Sequence, residues 1–153
     1  MKIVLGCDHA GFPLKQTVLD AVRAAGHEVI DVGTNSADPV DFPDFTKKVG
    51  EAIQRGEAER GILVCGSGIG ACIAANKMKG VWAAICHDTY SAAQGVEHDN
   101  MNVLCLGGRV IGVELAASLV KAFLNARYLG NDPGGERLAR RVGKIEKIES
   151  SEG

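Results

Sequence analysis

Five short apolar or β-branched runs recur along the chain, at residues 2–6, 28–32, 61–64, 81–86 and 102–106, with helix-spaced apolar residues between them. A strand returned to its sheet through a helix pairs in parallel with the strand before it. The alternation therefore predicts an α/β fold, an open doubly wound, five-stranded parallel sheet with helices on both faces. The first helical pattern holds Leu14, Val18, Ala21, Val22 and Ala25 and stops at Gly26. Further helices are expected over residues 46–54, 69–77, 89–96 and 112–128, the last with Leu115, Leu119, Ala122 and Phe123 toward the core. Residues 33–44, with Asn, Ser, Asp and two Pro, read as a loop. After residues 130–135 a final helix, starting near residue 135, would align Leu138, Val142, Ile145 and Ile148, a stripe that needs cover from its own domain or from a partner subunit. At 153 residues and 16.0 kDa, one domain over residues 1–153 is expected.

Charge narrows the function classes. Charged residues make up 24% and the formal net charge is -2, so neither a disordered chain nor a basic nucleic-acid binder is indicated. Aromatics, at 5%, are too few for stacking platforms. Cys7, Cys65, Cys72, Cys86 and Cys105 show no CxxC pair and no zinc-finger spacing, which argues against a disulfide frame and a structural metal. The first apolar run ends at Asp8 and His9, short of a signal peptide or membrane span. A cytoplasmic protein with no membrane partner is expected.

In such sheets ligands sit beyond the carboxyl ends of the strands, near the point where strand order reverses. After the first strand stands Gly6-Cys7-Asp8-His9-Ala10-Gly11, with phosphate-loop glycine spacing but Phe12-Pro13 where Lys and Ser or Thr would be needed. Asp8 and His9 could hold a polyhydroxylated ligand; equally, Asp8 could cap the following helix. After the third strand comes Cys65-Gly66-Ser67-Gly68-Ile69-Gly70. Its glycines bare backbone N–H groups at a helix start, which favours an anion or developing oxyanion and would help Cys65 ionise. Cys65 could be a base or nucleophile, or simply the buried end of a core strand; the glycines favour the former.

Other uses of such a loop meet the wrong residues. A thiol phosphatase would need Arg where Ala71 stands, and a phosphoreceiver would need an acid where Cys65 stands. Gly66, Gly68 and Ala71, with Asp88 beyond, match a dinucleotide fingerprint formally, but on the third strand instead of the first. His87 and His98 are candidate proton carriers, and Arg109, Arg137 and Arg141 candidate phosphate ligands. The arginines of the last helix could equally be a solvated basic face continued by Lys144 and Lys147.

Together, the motifs at residues 6–11 and 65–70, Ile73-Ala74-Ala75-Asn76-Lys77, Cys86-His87-Asp88, His98 and Gly107-Gly108-Arg109-Val110 resemble the type B ribose-5-phosphate isomerases and their sugar-phosphate isomerase relatives, galactose-6-phosphate isomerase subunits included. The resemblance implies a flavodoxin-like, Rossmann-type fold and a homodimer, with tetramers open, whose interface active sites draw on both chains without metal or organic cofactor. It implies interconversion of ribose 5-phosphate and ribulose 5-phosphate through a cis-enediolate. Cys65 would be the general base, and Ser67 with the backbone of Gly66, Gly68, Ile69 and Gly70 would stabilise the enediolate. His98 would open the sugar ring, with Asp99 beside it in the substrate site. Asp8 and His9 would hold hydroxyls, and Arg109, Arg137 and Arg141 the phosphate. Asp99 stands where relatives usually have Asn, Leu138 where His is common, and Phe42 where Tyr is often seen. These departures leave open an erythrose 4-phosphate, allose 6-phosphate or galactose 6-phosphate substrate. Outside catalysis, the rival reading is a nucleotide- or sugar-phosphate-binding module, which tight nucleotide binding without isomerase activity would favour. A DNA-associated dimer would need steeply salt-dependent binding.

Overall fold

Strands β1 (Lys2–Cys7), β2 (Glu28–Asp31), β3 (Arg60–Cys65), β4 (Ala83–Ile85) and β5 (Val103–Gly107) form one parallel sheet in a computed structural model that describes residues 1–152. The fold class is the expected one. The strand order is β2-β1-β3-β5-β4, so the last two strands are exchanged relative to the flavodoxin order of 2-1-3-4-5. Burial follows the exchange. Every residue of β5 is buried and needs a neighbouring strand on each side, whereas every residue of β4 is only half-buried and suits an edge. The expected strand over residues 81–86 shrinks to Ala83–Ile85, and Trp82 leads into it, its carbonyl accepting from the Asn102 and Val103 N–H groups.

A 3-10 turn, Phe12–Leu14, leads into α1 (Lys15–Ala24), followed by α2 (Phe42–Gln54), α3 (Ile69–Ala75), α4 (Thr89–Asp99), α5 (Val113–Asn125) and α6 (Glu136–Glu152). Helices α1, α4 and α5 cover one face, burying Leu5, Val18, Ile62, Leu104, Leu119 and Phe123. Helices α2 and α3 cover the other, over Val4, Val49, Leu63 and Cys105. Helix α2 starts four residues before the expected 46, because Pro43 falls in its first turn, where a missing N–H and a fixed φ are tolerated. The expected loop therefore ends at Asp41. Helix α5 buries Ala116, Leu119, Val120 and Phe123; Leu115, expected in the core, is one position off that stripe and is exposed.

On α6 the apolar stripe is only half covered: Leu138 and Val142 are buried, while Ile145 and Ile148 are exposed. The far end of α6 is held by Glu149, whose Oε1 accepts from the Gly80 N–H at 2.9 Å and the Trp82 Nε1–H at 3.3 Å. No helix among the described residues is long and apolar enough to cross a membrane.

Candidate active site

Because β1, β3 and β5 are neighbours, the loops after them meet at one edge of the sheet, where the order turns around between β1 and β3. They are sewn together by backbone bonds: Gly108 N–H to the Cys65 carbonyl (2.7 Å), Arg109 N–H to the Gly66 carbonyl (3.0 Å) and Asp8 N–H to the Val64 carbonyl (3.3 Å). The approach is too close for side chains; a Cβ on Gly108 would stand 2.8 Å from the Ala10 carbonyl oxygen. The His87 Nε2 accepts from the Gly107 N–H at 3.0 Å, so this histidine braces the loop that carries Arg109.

Between the loops lies an open cavity of about 410 Å³, lined by Asp8, His9, Ala10, Phe42, Cys65, Gly66, Ser67, Gly70, Arg109 and Val110. Cys65 ends β3 at 5% exposure, and its Sγ accepts from the Gly68 N–H at 3.1 Å, a donor set where it stabilises negative charge on the sulfur. Gly68 can aim that N–H because it turns at φ +85°, a left-handed conformation that only glycine adopts readily. The Ser67 Oγ accepts from the Ile69 N–H at 3.2 Å. Arg109 is exposed and forms no ion pair among the described residues. The Phe42 ring lies on Gly70, where a Cβ would stand 2.5 Å from Cζ.

Asp8 shapes the first loop but does not cap the following helix, whose N-cap is Gly11 without a side-chain cap bond. Asp8 Oδ1 accepts from the Ala10 and Gly11 N–H groups, each at 2.9 Å, which makes the turn, and Asp8 also lines the cavity. The His9 Nδ1 accepts from the Val40 N–H at 3.1 Å, so a neutral His9 ring must hold its proton on Nε2. This partnership had no signal in the sequence, since any residue but proline offers the same N–H. Ile69 opens α3, exposed and outside the cavity lining.

The remaining expected site residues stand elsewhere in the chain. His98 and Asp99 end α4, just before β5 begins, so the length of β5, about 13 Å at the usual rise, separates their edge of the sheet from that of Gly107 and Cys65. The His98 Nδ1 pairs with the Gln94 Nε2 at 3.2 Å, and Asp99 borders a separate cavity of about 230 Å³ beside Trp82 and Ile145. Arg137 and Arg141 lie in the first turns of α6, and the segment before them is bonded to the end of α4 through the Leu129 N–H and the Glu97 carbonyl, 3.0 Å. Within one chain, then, the expected site is two groups at opposite ends. His98, Asp99, Arg137 and Arg141 do not line the Cys65 cavity of their own chain.

The other thiols differ sharply. Burial pushes Cys7 and Cys86 up to about 11. Cys72, on α3, is lowered to about 6, chiefly by the neighbouring Cys105 thiol and further by the Ile85 backbone and the Asn76 side chain, against the opposing effect of burial. No group of three or more His, Cys, Asp or Glu among the described residues is placed to hold a metal ion.

Comparison with known proteins gives concordant results. The ribose/galactose isomerase family matches residues 3–145. The chain is 44% identical over 148 residues to ribose-5-phosphate isomerase B of Escherichia coli, covering 97% of this chain and 96% of the relative. It is 42% identical over 150 residues to the D-erythrulose-4-phosphate isomerase of Pectobacterium atrosepticum, covering 97% and 93%. The solved structure of Clostridium thermocellum ribose-5-phosphate isomerase B superposes with a TM-score of 0.93 at 46% identity, covering 100% of both chains.

Proposed function

The chain belongs to the ribose/galactose isomerase family, and on that premise we propose that it is an aldose–ketose isomerase interconverting ribose 5-phosphate and ribulose 5-phosphate. The observation that carries the chemistry is Cys65 Sγ, at the wall of a cavity shared with Asp8, His9 and Arg109, held 3.1 Å from the Gly68 N–H. The Cys65 thiolate takes the proton from C2 of the open-chain aldose. The electrons of that C–H bond form the C1–C2 double bond, and the carbonyl electrons move onto O1, giving a cis-enediolate. Ser67 and the backbone of the glycine loop, Gly66 through Gly70, stabilise its oxygens. A proton passes from O2 to O1, and the thiol returns its proton to C1, leaving the ketone at C2. Asp8 and His9 hold sugar hydroxyls, and Arg109 draws the phosphate, whose remote binding energy keeps the reacting carbons in place.

The remaining parts come from a second copy. Ile69, Ile73, Tyr90, Val110 and Val113 are all exposed, and they stand at or near the edge of the sheet that holds the cavity. Apolar side chains grouped in this way favour a covered surface. A partner docked there by its opposite end supplies His98 to open the sugar ring, Asp99 beside it, and Arg137 and Arg141 to bind the phosphate. The C-terminal helix from Glu136 thus serves the neighbouring subunit as well as its own domain. Five unpaired thiols suit a reducing, cytoplasmic setting.

Cys65→Ala decides the assignment. The variant is expected to bind ribose 5-phosphate by calorimetry but to lose proton exchange at C2 in deuterated water. Retained turnover would refute the role of Cys65.

A further inference from the structure

We propose that Lys15 is a positioning residue for this site: its buried ammonium clamps the segment between β2 and α2, and the clamped segment fixes the tautomer in which His9 meets the substrate. The inference rests on the reading of the Cys65 cavity as the sugar-phosphate site.

Lys15 opens α1 at 6% exposure. A buried ammonium is tolerated when its N–H groups are matched, and here each finds an acceptor: Asp31 Oδ2 at 2.7 Å, the Thr34 carbonyl at 2.9 Å and Asn35 Oδ1 at 2.9 Å. All three acceptors belong to residues 31–35, at one end of the segment that joins β2 to α2. At its other end the Val40 N–H donates to His9 Nδ1 at 3.1 Å, and Phe42 follows as a wall of the cavity. Lys15 and His9 are thus two rungs from the same stretch of chain, the one after β1, gripping residues 32–41 at both ends.

The rungs differ in strength. The Lys15 rung joins an ammonium to a carboxylate and two further oxygens, whereas the His9 rung is a single bond between neutral groups. The strong rung therefore holds the segment where the weak one can form. With Val40 donating to Nδ1, the neutral ring presents Nε2–H, a donor that can meet a sugar hydroxyl oxygen. The other tautomer would present a lone pair instead, so the hydroxyl would have to reverse its hydrogen bond. Lys15 never needs to touch the substrate to select between these two states.

The test uses the full-length protein. In substrate-free wild type at mildly alkaline pH, 15N spectra of the His9 ring are expected to show an unprotonated Nδ1 and a protonated Nε2. Lys15→Met is expected to give mixed tautomers and to raise KM for ribose 5-phosphate about tenfold, the loss of roughly one good hydrogen bond, with kcat changed less than about threefold. Lys15→Arg, which keeps the charge, is expected to recover most of the KM. Val40→Pro, which removes that N–H and also fixes φ, is expected to reproduce the mixed tautomers with Lys15 intact. Should Lys15→Met fail to fold, Asn35→Ala is read the same way, since it removes one acceptor without stranding a charge. An unchanged His9 signature in a folded Lys15→Met protein, in its substitute Asn35→Ala, or in Val40→Pro overturns the proposal. The ring spectra are taken without substrate, so a wild-type protein inactive on ribose 5-phosphate would count against the proposed reaction and leave this result standing.

Discussion

Gly68 shows how much one backbone angle decides. Its φ of +85° directs an N–H at Cys65, and a Cβ there would stand 3.2 Å from the Leu106 carbonyl carbon. Gly68→Ala is expected to cost about 1–2 kcal/mol in urea unfolding and to depress turnover, because relaxing the strain swings the N–H away from the sulfur. Wild-type stability and rate in that variant would show that the loop does not depend on the left-handed turn. Cys72 gives a second prediction at this scale. Its folded value, lowered from 9.0 to about 6, lies below the value in the unfolded chain. The contribution of Cys72 to stability is therefore full above about 9 and is lost as pH falls toward 6. In the Cys65→Ala background, iodoacetamide should modify Cys72 ahead of Cys7, Cys86 and Cys105, at a rate that drops as pH is lowered through about 6, read by mass spectrometry. First labelling at another thiol would contradict the lowered value of Cys72. Cys65, Asp8, His9 and Arg109 were legible in the sequence because each follows a recognisable strand, and ligands gather there in open α/β sheets. Val40 was not, since its contribution is a backbone N–H reaching across 31 positions of chain. Phe42 stood out only as a departure from the tyrosine common in relatives.

Among the elements, the five strands and most helices follow from apolar periodicity, but their spatial order does not. Residues 81–86 look as apolar as 102–106; which run lies inside the sheet depends on burial from both flanks, a property of the assembled layers. Leu115 was misread for a related reason, since α5 is apolar around much of its circumference and its buried stripe is set by contact with α1 and α4. The far end of α6 depends on one carboxylate, Glu149, which binds the Gly80 N–H and the indole of Trp82. Trp82 is the single tryptophan, so its fluorescence reports on that anchor alone. Glu149→Ala is expected to red-shift the emission while lowering stability by no more than about 1 kcal/mol. An unmoved spectrum would mean that α6 stays in place without this bond.

Across the whole molecule, the residues proposed for the site fall in two groups. Cys65, Asp8, His9 and Arg109 face one end, and His98, Asp99, Arg137 and Arg141 stand at or near the other. Subunit mixing tests the division directly. Cys65→Ala and His98→Asn proteins, each inactive on ribose 5-phosphate, are expected to regain about a quarter of the wild-type activity when mixed in equal amounts and allowed to exchange. Half of the dimers are then hybrid, and each hybrid holds one intact site. No recovery would show that each chain completes its own site. On this arrangement a solitary chain keeps every strand and helix yet is chemically mute. Dilution alone would quench the reaction with nothing unfolded, so the cell's supply of this protein governs output per molecule as well as the number of molecules at work.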